Sequence, residues 1–157
     1  MAFGAPSVKG RALRYLAQRE HSRAELERKL ARHLEDGEAG SVTEQIARAL
    51  DELAAHGLLS EQRVADSVLR SQGARFGVRR LRQTLQGKGL DAALVASTLH
   101  QARGTELERA RQVWQRKFGQ PPLDATERGR QMRFLAARGF EAEVIRRVVQ
   151  GADDEGG

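Results

Sequence analysis

The side chains best suited to chemistry in this 157-residue sequence are its arginines, which make up 23 of the 27 basic residues. An arginine presents a planar fork of N–H donors that fits phosphate and carboxylate groups. No acid lies between Asp66 and Asp91, and the basic residues of that interval are Arg70, Arg75, Arg79, Arg80, Arg82 and Lys88. Because a local excess of one charge attracts partners of the opposite charge, this stretch predicts contact with a polyanion or an acidic protein groove.

The same stretch has the spacing of an amphipathic helix. Its inward positions are Val78, Leu81 and Leu85, and its outward positions are Arg79, Arg82 and Gln86, with Arg75 and Arg80 beside them. A helix face of this kind can also be a solvated surface that only keeps a protein soluble. The absence of compensating acids favours the binding interpretation. Aromatic residues number only seven, which argues against base stacking of the kind used by single-strand binders.

Catalytic and metal-binding patterns are absent from the sequence. There is no cysteine, and His21, His33, His56 and His100 do not form the paired spacing of a zinc helix. The Gly87-Lys88-Gly89 segment has no strand before it and fits a helix end better than a phosphate loop. We therefore expect no enzyme, no metal and no cofactor. The lack of cysteine and of any long apolar run predicts a cytoplasmic protein that neither crosses a membrane nor is secreted.

The elements that must position these arginines are all predicted to be helices, because apolar residues recur at intervals of three and four. Side-chain N-caps with an acid three residues later are predicted at Ser22, Ser41, Thr105 and Asp124, and simpler N-caps at Ser60 and Asp91. Left-handed glycines that end helices are predicted at Gly57, Gly89, Gly119, Gly139 and Gly151. The nine predicted helices span residues 8–20, 23–34, 43–56, 61–72, 77–87, 92–102, 106–118, 127–138 and 141–150.

A short phrase, Leu-x-x-basic-Gly-apolar, occurs three times, ending at Leu58, Leu90 and Phe140. Helix capping alone explains each copy, since the residue after a left-handed glycine packs back on the preceding turn. Yet the second and third copies have similar helical surroundings, which favours repeated three-helix modules. We predict all-α architecture with helix-turn-helix-like repeats at 8–59, 60–103 and 104–151 in an elongated, curved arrangement. A flexible N-terminus at 1–7 and an acidic disordered tail at 152–157 flank them.

The apolar spacing also predicts the core of each repeat. The first core comprises Leu13, Leu16, Leu26, Leu30, Ile46, Leu50 and Leu53; the second comprises Val64, Val68, Val78, Leu81, Leu85, Leu94 and Leu99. The third comprises Val113, Trp114, Phe118, Met132, Leu135, Phe140, Val144 and Val148. Trp114 is assigned to the core rather than to a base-stacking platform, because it lies one helical turn from Phe118.

Four phrases of the sequence carry a family resemblance in their order and spacing. They are Gly57-Leu-Leu-Ser-Glu-Gln-Arg-Val-Ala65, Gly77-Val-Arg-Arg-Leu-Arg-Gln-Thr-Leu-Gln-Gly-Lys-Gly-Leu90, Lys117-Phe-Gly119 and Arg133-Phe-Leu-Ala-Ala-Arg-Gly-Phe140. Together they resemble the RecX family of bacterial recombinase regulators over about residues 9–150. The family usually has Asp in place of Ser60 and Phe in place of Val64, and these departures look like exchanges of a cap and of a core residue.

The resemblance implies three tandem three-helix repeats that bind the RecA nucleoprotein filament. It further implies inhibition of the recombinase, ATPase and coprotease activities of RecA, and so a role in homologous recombination, DNA repair and the SOS response. Two residues of the last phrase, Arg133 and Arg138, join the six basic residues of the acid-free stretch as candidate contacts to the filament or to DNA. We expect a monomer that binds single- or double-stranded DNA weakly on its own.

Two other functions fit the residues alone. One is a free-standing DNA-binding protein in which a helix of a helix-turn-helix enters the major groove. The other is an RNA-binding helical repeat module. The sequence leaves open whether contact is mainly to RecA or to DNA, and whether the protein caps the filament or lies in its groove.

Overall fold

The protein is all-α. The computed structural model describes the backbone of residues 6–155 and the side chains of residues 6–151. Nine helices account for 71% of the described residues, which contain no strand beyond an isolated bridge between Gly37 and Gly40. The helices are α1 (Val8–Gln18), α2 (Arg23–Ala31), α3 (Val42–Ala55), α4 (Glu61–Gln72), α5 (Val78–Gly87), α6 (Ala92–Arg103), α7 (Glu106–Lys117), α8 (Ala125–Ala137) and α9 (Ala142–Glu155).

Most helices begin where the capping pattern predicts. Ser22 forms a full capping box, since its hydroxyl accepts from the amide of Glu25 while the Glu25 carboxylate accepts from the amide of Ser22. Side-chain caps are also present at Ser41, Ser60, Asp91 and Asp124. Thr105 is the N-cap residue of α7, as predicted, but the predicted side-chain capping bond is absent. Only two residues separate α6 from α7. The Thr105 hydroxyl donates to the Ala102 carbonyl and accepts from the Arg109 side chain, and it makes no bond to a backbone amide of α7.

Helix ends depend on left-handed glycines at four of the five predicted positions, namely Gly57, Gly89, Gly119 and Gly139. The prediction for Gly151 is wrong, because α9 continues through it to Glu155. A glycine inside a helix lowers the stability of the helix but does not by itself end it. The backbone of residues 152–155 is therefore helical, which corrects the predicted disordered tail over those residues. At the other end, Ser7 caps α1 through a bond from the Gly10 amide, so it is ordered. The remaining parts of the predicted flexible N-terminus and acidic tail, residues 1–5 and 156–157, lie outside the described residues.

The chain divides into two compact units. Unit 1 contains the residues up to Ser67 together with Lys88–Leu90, and unit 2 contains Val68–Gly87 together with the residues from Asp91 onward. The division into three repeats therefore stays a prediction. In unit 1, helices α1, α2 and α3 enclose an apolar core of Ala12, Leu26, Leu30, Ile46, Leu50, Leu53 and Leu59. Leu13, predicted to be buried, is 38% exposed, because α1 turns the neighbouring Ala12 inward instead.

In unit 2, helices α7, α8 and α9 enclose a second core, formed by Ala110, Val113, Trp114, Leu135, Phe140, Ile145, Val148 and Val149. Trp114 lies in this core, as predicted, and its indole N–H donates a 2.8 Å hydrogen bond to the buried amide oxygen of Gln131. Val78, Leu81 and Leu85 are fully buried, which confirms the inward face of α5. Of the other predicted core positions, Leu16, Leu94, Phe118, Met132 and Val144 are only partly buried.

Candidate anion-binding surface

A buried carboxylate fixes the start of α5, the helix that carries three of the predicted contact arginines. The side chain of Glu106 is almost fully enclosed, and its Oε1 accepts hydrogen bonds from the backbone amides of Val78 at 3.2 Å and Glu141 at 3.1 Å. The Val78 amide begins α5 and the Glu141 amide directly precedes α9, so both lie at helix N-termini, where N–H groups favour a negative charge. Glu106 therefore holds two helix N-termini beside each other.

A buried guanidinium fixes the turn before α5. Arg109, one turn along α7 from Glu106, donates to the carbonyls of Gly73 at 2.7 Å, Phe76 at 2.6 Å and Ala102 at 2.8 Å. Burial lowers the pKa of Arg109 from its ordinary value. Even so, a guanidinium titrates too far above neutrality to lose its proton. Arg109 therefore fixes the backbone conformation of the α4–α5 turn through these hydrogen bonds.

The α4–α5 turn meets the α8–α9 turn backbone to backbone. The amide of Gly77 donates to the Arg138 carbonyl at 2.9 Å, and the amide of Arg79 donates to the Gly139 carbonyl at 3.0 Å. A Cβ on Gly77 would lie 2.4 Å from the Cα of Phe140, and one on Gly139 would lie 2.4 Å from the Cβ of Arg80. Only glycines permit this approach, which brings Arg80 and Arg138 to the same place.

Phe76 forms a platform for three of the predicted contact residues. The guanidinium carbons of Arg80, Arg75 and Arg138 lie 4.5, 5.1 and 5.8 Å from the centre of its ring. Attraction between a cation and the negative face of an aromatic ring holds each guanidinium in place. These cations, drawn from two separated parts of the chain, therefore form one cluster.

The arrangement continues beyond Phe76 to two more phenylalanines. Arg138 also lies 5.1 Å from the ring centre of Phe134, and Lys117 lies 5.3 Å from the same centre. Phe134 meets Phe118 edge to face, with 5.4 Å between centres, and Arg130 lies 5.5 Å from Phe118. We refer to this set as the cation–aromatic row: the rings of Phe76, Phe134 and Phe118 with the cations Arg75, Arg80, Arg138, Lys117 and Arg130.

Five members of the row were not among the predicted contact residues, namely Lys117, Arg130, Phe76, Phe118 and Phe134. Low overall aromatic content led to the expectation that aromatic and basic residues would not interleave. A local signal was available, because a basic residue directly precedes each ring: Arg75-Phe76, Lys117-Phe118 and Arg133-Phe134. Each pair lies on a different stretch of chain, so their meeting depends on the fold of unit 2.

The structure separates the predicted contact residues into three groups. Arg70, Arg75, Arg79, Arg80 and Arg133 are exposed, and none of them forms an ion pair with any residue in the described range 6–151. Arg82 and Arg138 are half-buried. Lys88 forms the third group by itself. It belongs to unit 1, where its Nζ lies 3.1 Å from a carboxylate oxygen of the buried Glu25.

Glu25 is the centre of a charged cluster inside unit 1. Burial alone would raise the pKa of its carboxyl, but hydrogen bonds from Arg19, the Ser22 amide and Lys88 outweigh burial and lower that pKa to about 2. The hydroxyl of Ser22 also donates to the Lys88 carbonyl at 2.5 Å. Both the charge and the backbone of Lys88 are therefore engaged in holding unit 1 together.

Two other kinds of feature are absent from the part of the chain that the structure describes. No three histidine, aspartate or glutamate side chains there converge so that they could bind a metal ion. None of the described helices has the length and apolarity needed to span a membrane. The arginine-rich surface of unit 2 is thus the site that the geometry offers.

Comparison with known proteins identifies the family. The chain is 54% identical to the regulatory protein RecX of Leptothrix cholodnii, across 95% of this chain and 91% of that protein. The chain belongs to the RecX family. It is also 44% identical to the regulatory protein RecX of Ralstonia nicotianae, across 94% of this chain and 89% of that protein. The family model described as "RecX, third three-helix domain" matches residues 105–149.

Solved RecX structures share the fold at low sequence identity. The crystal structure of RecX from Lactobacillus salivarius is 21% identical and superposes with a TM-score of 0.74, covering 93% of this chain and 94% of that one. These comparisons confirm the resemblance and the all-α class. RecX proteins are regulatory proteins, so a RecX-type regulatory role follows for this chain.

Proposed function

We propose that the protein binds the RecA nucleoprotein filament and lowers the ATPase, strand-exchange and coprotease activities of RecA. Membership of the RecX family is the observation that carries this proposal. RecA and its filament enter from the resemblance of the sequence phrases to that family. In this role the protein modulates homologous recombination and DNA repair, acts in the cytoplasm and works as a monomer.

The surface of unit 2 supports a mechanism based on occupancy rather than on chemistry. Four exposed arginines of this surface have no acidic partners among the described residues, so their charges are available to another molecule: Arg70, Arg75, Arg79 and Arg80. A filament of protein wrapped on DNA offers both phosphates and acidic side chains. Binding there would slow RecA by obstructing changes between neighbouring subunits, without any turnover by this protein.

The test is DNA-dependent ATP hydrolysis by RecA in the presence of increasing amounts of the protein. We expect hydrolysis to slow at fewer than one molecule per RecA, because each molecule contacts the assembled filament rather than free subunits. An unchanged rate at equimolar protein would contradict the proposal.

Binding measurements on naked single-stranded DNA, on RecA alone and on the assembled filament distinguish this function from its alternative. Preference for the filament supports the proposed regulator. Equal affinity for naked duplex DNA and for the filament would favour a free-standing DNA-binding protein instead.

A further inference from the structure

We propose that the cation–aromatic row of unit 2 binds the phosphodiester backbone of a DNA strand, with the phenylalanine rings holding the cations ready for the phosphates. This inference rests on the proposed function, because the filament supplies the DNA. It states which part of the filament this surface of the protein contacts, namely the DNA.

The first support is that most cations of the row have no acidic partner within the protein and can bind a phosphate. Of its five cations, only Arg130 has an acidic partner in the described part of the chain, the carboxylate of Glu127 at 3.6 Å. Arg75, in the α4–α5 turn, donates to the backbone carbonyl of Ser71, which leaves its charge uncompensated. The row therefore presents four cations that no neighbouring acid neutralises.

The second support is that the rings organise these cations in advance. Arg80, Arg75 and Arg138 share Phe76, and Arg138 and Lys117 share Phe134. A long side chain normally loses rotational freedom when it binds a ligand. A guanidinium that already lies against a ring loses less of that freedom, and it keeps its N–H groups for two parallel bonds to a phosphate.

The third support is that the cations of the row form one connected series, which favours a nucleic acid over an acidic protein. Neighbouring cations are linked through shared or touching rings, from Arg80 through Arg138 and Lys117 to Arg130. A DNA strand presents charges of one sign at short, regular intervals. A folded protein surface usually carries both signs interspersed. A continuous series of cations therefore matches a DNA strand better than it matches the surface of a folded protein.

The phenylalanine rings of the row are not expected to contact the DNA themselves. All three are partly buried, and each has a cation near it. Base stacking needs an open ring face. The row is therefore expected to bind without sequence preference and with strong dependence on salt, because its contacts are to phosphates alone.

The experiment measures fluorescence anisotropy of labelled single-stranded and duplex oligonucleotides across a salt series, without RecA. Three full-length variants are compared with the wild type. Arg80→Gln with Arg138→Gln removes two cations of the row. Arg14→Gln with Arg111→Gln removes two exposed cations that contact none of the three rings. Phe76→Leu keeps every charge and removes the shared platform.

We expect the Arg80/Arg138 variant to reduce the slope of log affinity against log salt by about 0.7 per lost cation on single strands and about 0.9 on duplex. The Arg14/Arg111 variant should leave the slope nearly unchanged. Phe76→Leu should lower the affinity by about two- to fivefold without changing the slope, because the energy of an exposed cation–ring contact is lost while the charge stays. The strand form that the wild type binds more tightly at the same salt concentration is the preferred DNA.

Equal loss in the two charge variants would overturn the proposal, since net charge alone would then explain binding. So would a wild type that binds neither oligonucleotide at low salt. If the Arg80/Arg138 variant loses inhibition of RecA while naked DNA is not bound, the row contacts protein, and the filament function stands without this inference. Circular dichroism and thermal melting check folding, and the surface charge variants decide the matter if Phe76→Leu does not fold.

Discussion

Arg80 and Arg138 place their guanidinium carbons 4.5 and 5.8 Å from the centre of one ring, that of Phe76. The two residues come from α5 and from the end of α8. They meet because the Gly77 amide bonds to the carbonyl of Arg138, and because the missing side chain of Gly139 leaves room for Arg80. The arginine surface is thus supported by backbone contacts between two turns, and its stability can be tested separately from its binding.

Substitution of Gly139 by valine should destabilise the fold by more than about 1 kcal/mol. Its φ of +87° is unfavourable for a β-branched residue, and a Cβ there would lie 2.4 Å from the Cβ of Arg80. Gly89→Val should behave similarly, since Gly89 has a φ of +70° and a Cβ there would lie 2.7 Å from the Cβ of Ala24. Thermal melts measure the effect. Gly87→Ala is the control and should not destabilise, because nothing lies within 4 Å of its added Cβ.

Replacement of Glu106 by alanine should cost about 2 kcal/mol or more in the free energy of unfolding. Two buried backbone amides, those of Val78 and Glu141, would each lose their acceptor. Urea denaturation gives the change directly. Glu108→Ala on the exposed side of the same helix should stay within about 0.5 kcal/mol, and a similar loss in both variants would show that the amides find other partners.

The carboxylate of Glu25 should make unit 1 sensitive to acid. Its pKa is about 2 in the folded protein against 4.5 for an unperturbed glutamate, so the stabilisation is present above pH 4.5 and lost as the pH falls toward 2. Comparison with Glu25→Gln isolates this group from the other carboxylates. The wild type should be more stable by about 2 kcal/mol at pH 7, and the difference should shrink steadily below pH 4.5. A difference independent of pH would contradict this assignment.

Replacement of Lys88 by methionine should affect stability rather than binding. The variant leaves the buried Glu25 carboxylate without one of its cations, and removal of one partner of a buried pair is destabilising by about 1 to 3 kcal/mol. The salt dependence of DNA binding should be unchanged. A reduced salt slope with normal melting would return Lys88 to the contact surface that its sequence position predicts.

Charge reversal of Arg79 and Arg82 to glutamate should weaken the effect of the protein on RecA while changing stability little. Arg79 is exposed and forms no ion pair with another described residue, and exposed substitutions usually change stability by less than about 0.5 kcal/mol. Arg82 is half-buried, so melting of each single variant should also be measured. RecA-dependent ATP hydrolysis is the functional measurement.

Arg14→Glu with Arg111→Glu provides the matched control, with one exposed arginine from each unit. Arg48 is less suitable, because its guanidinium donates to the Ala39 carbonyl and supports a loop of unit 1. Normal inhibition by the Arg79/Arg82 variant would show that this face of α5 is a solvated surface.

The sequence by itself determined the features that depend on residues within one helical turn. The Ser22 capping box needs only a glutamate three residues later, and Gly139 ends α8 through bonds to the turn just before it. Local spacing also identified the buried face of α5. It failed for the side-chain bond at Thr105, whose hydroxyl donates to the Ala102 carbonyl instead, and at Gly151, through which α9 continues.

Only the tertiary structure decided which charges are buried and which are available. In the sequence, Lys88 and Arg80 are equivalent members of one basic stretch, yet Lys88 pairs with Glu25 while Arg80 lies on Phe76 beside Arg138. Likewise, nothing local distinguishes the buried Glu106 from the exposed Glu108 as a cap for two distant helices. The physical reason is that electrostatic and cation–ring contacts depend on distance in space, and packing of distant segments sets that distance.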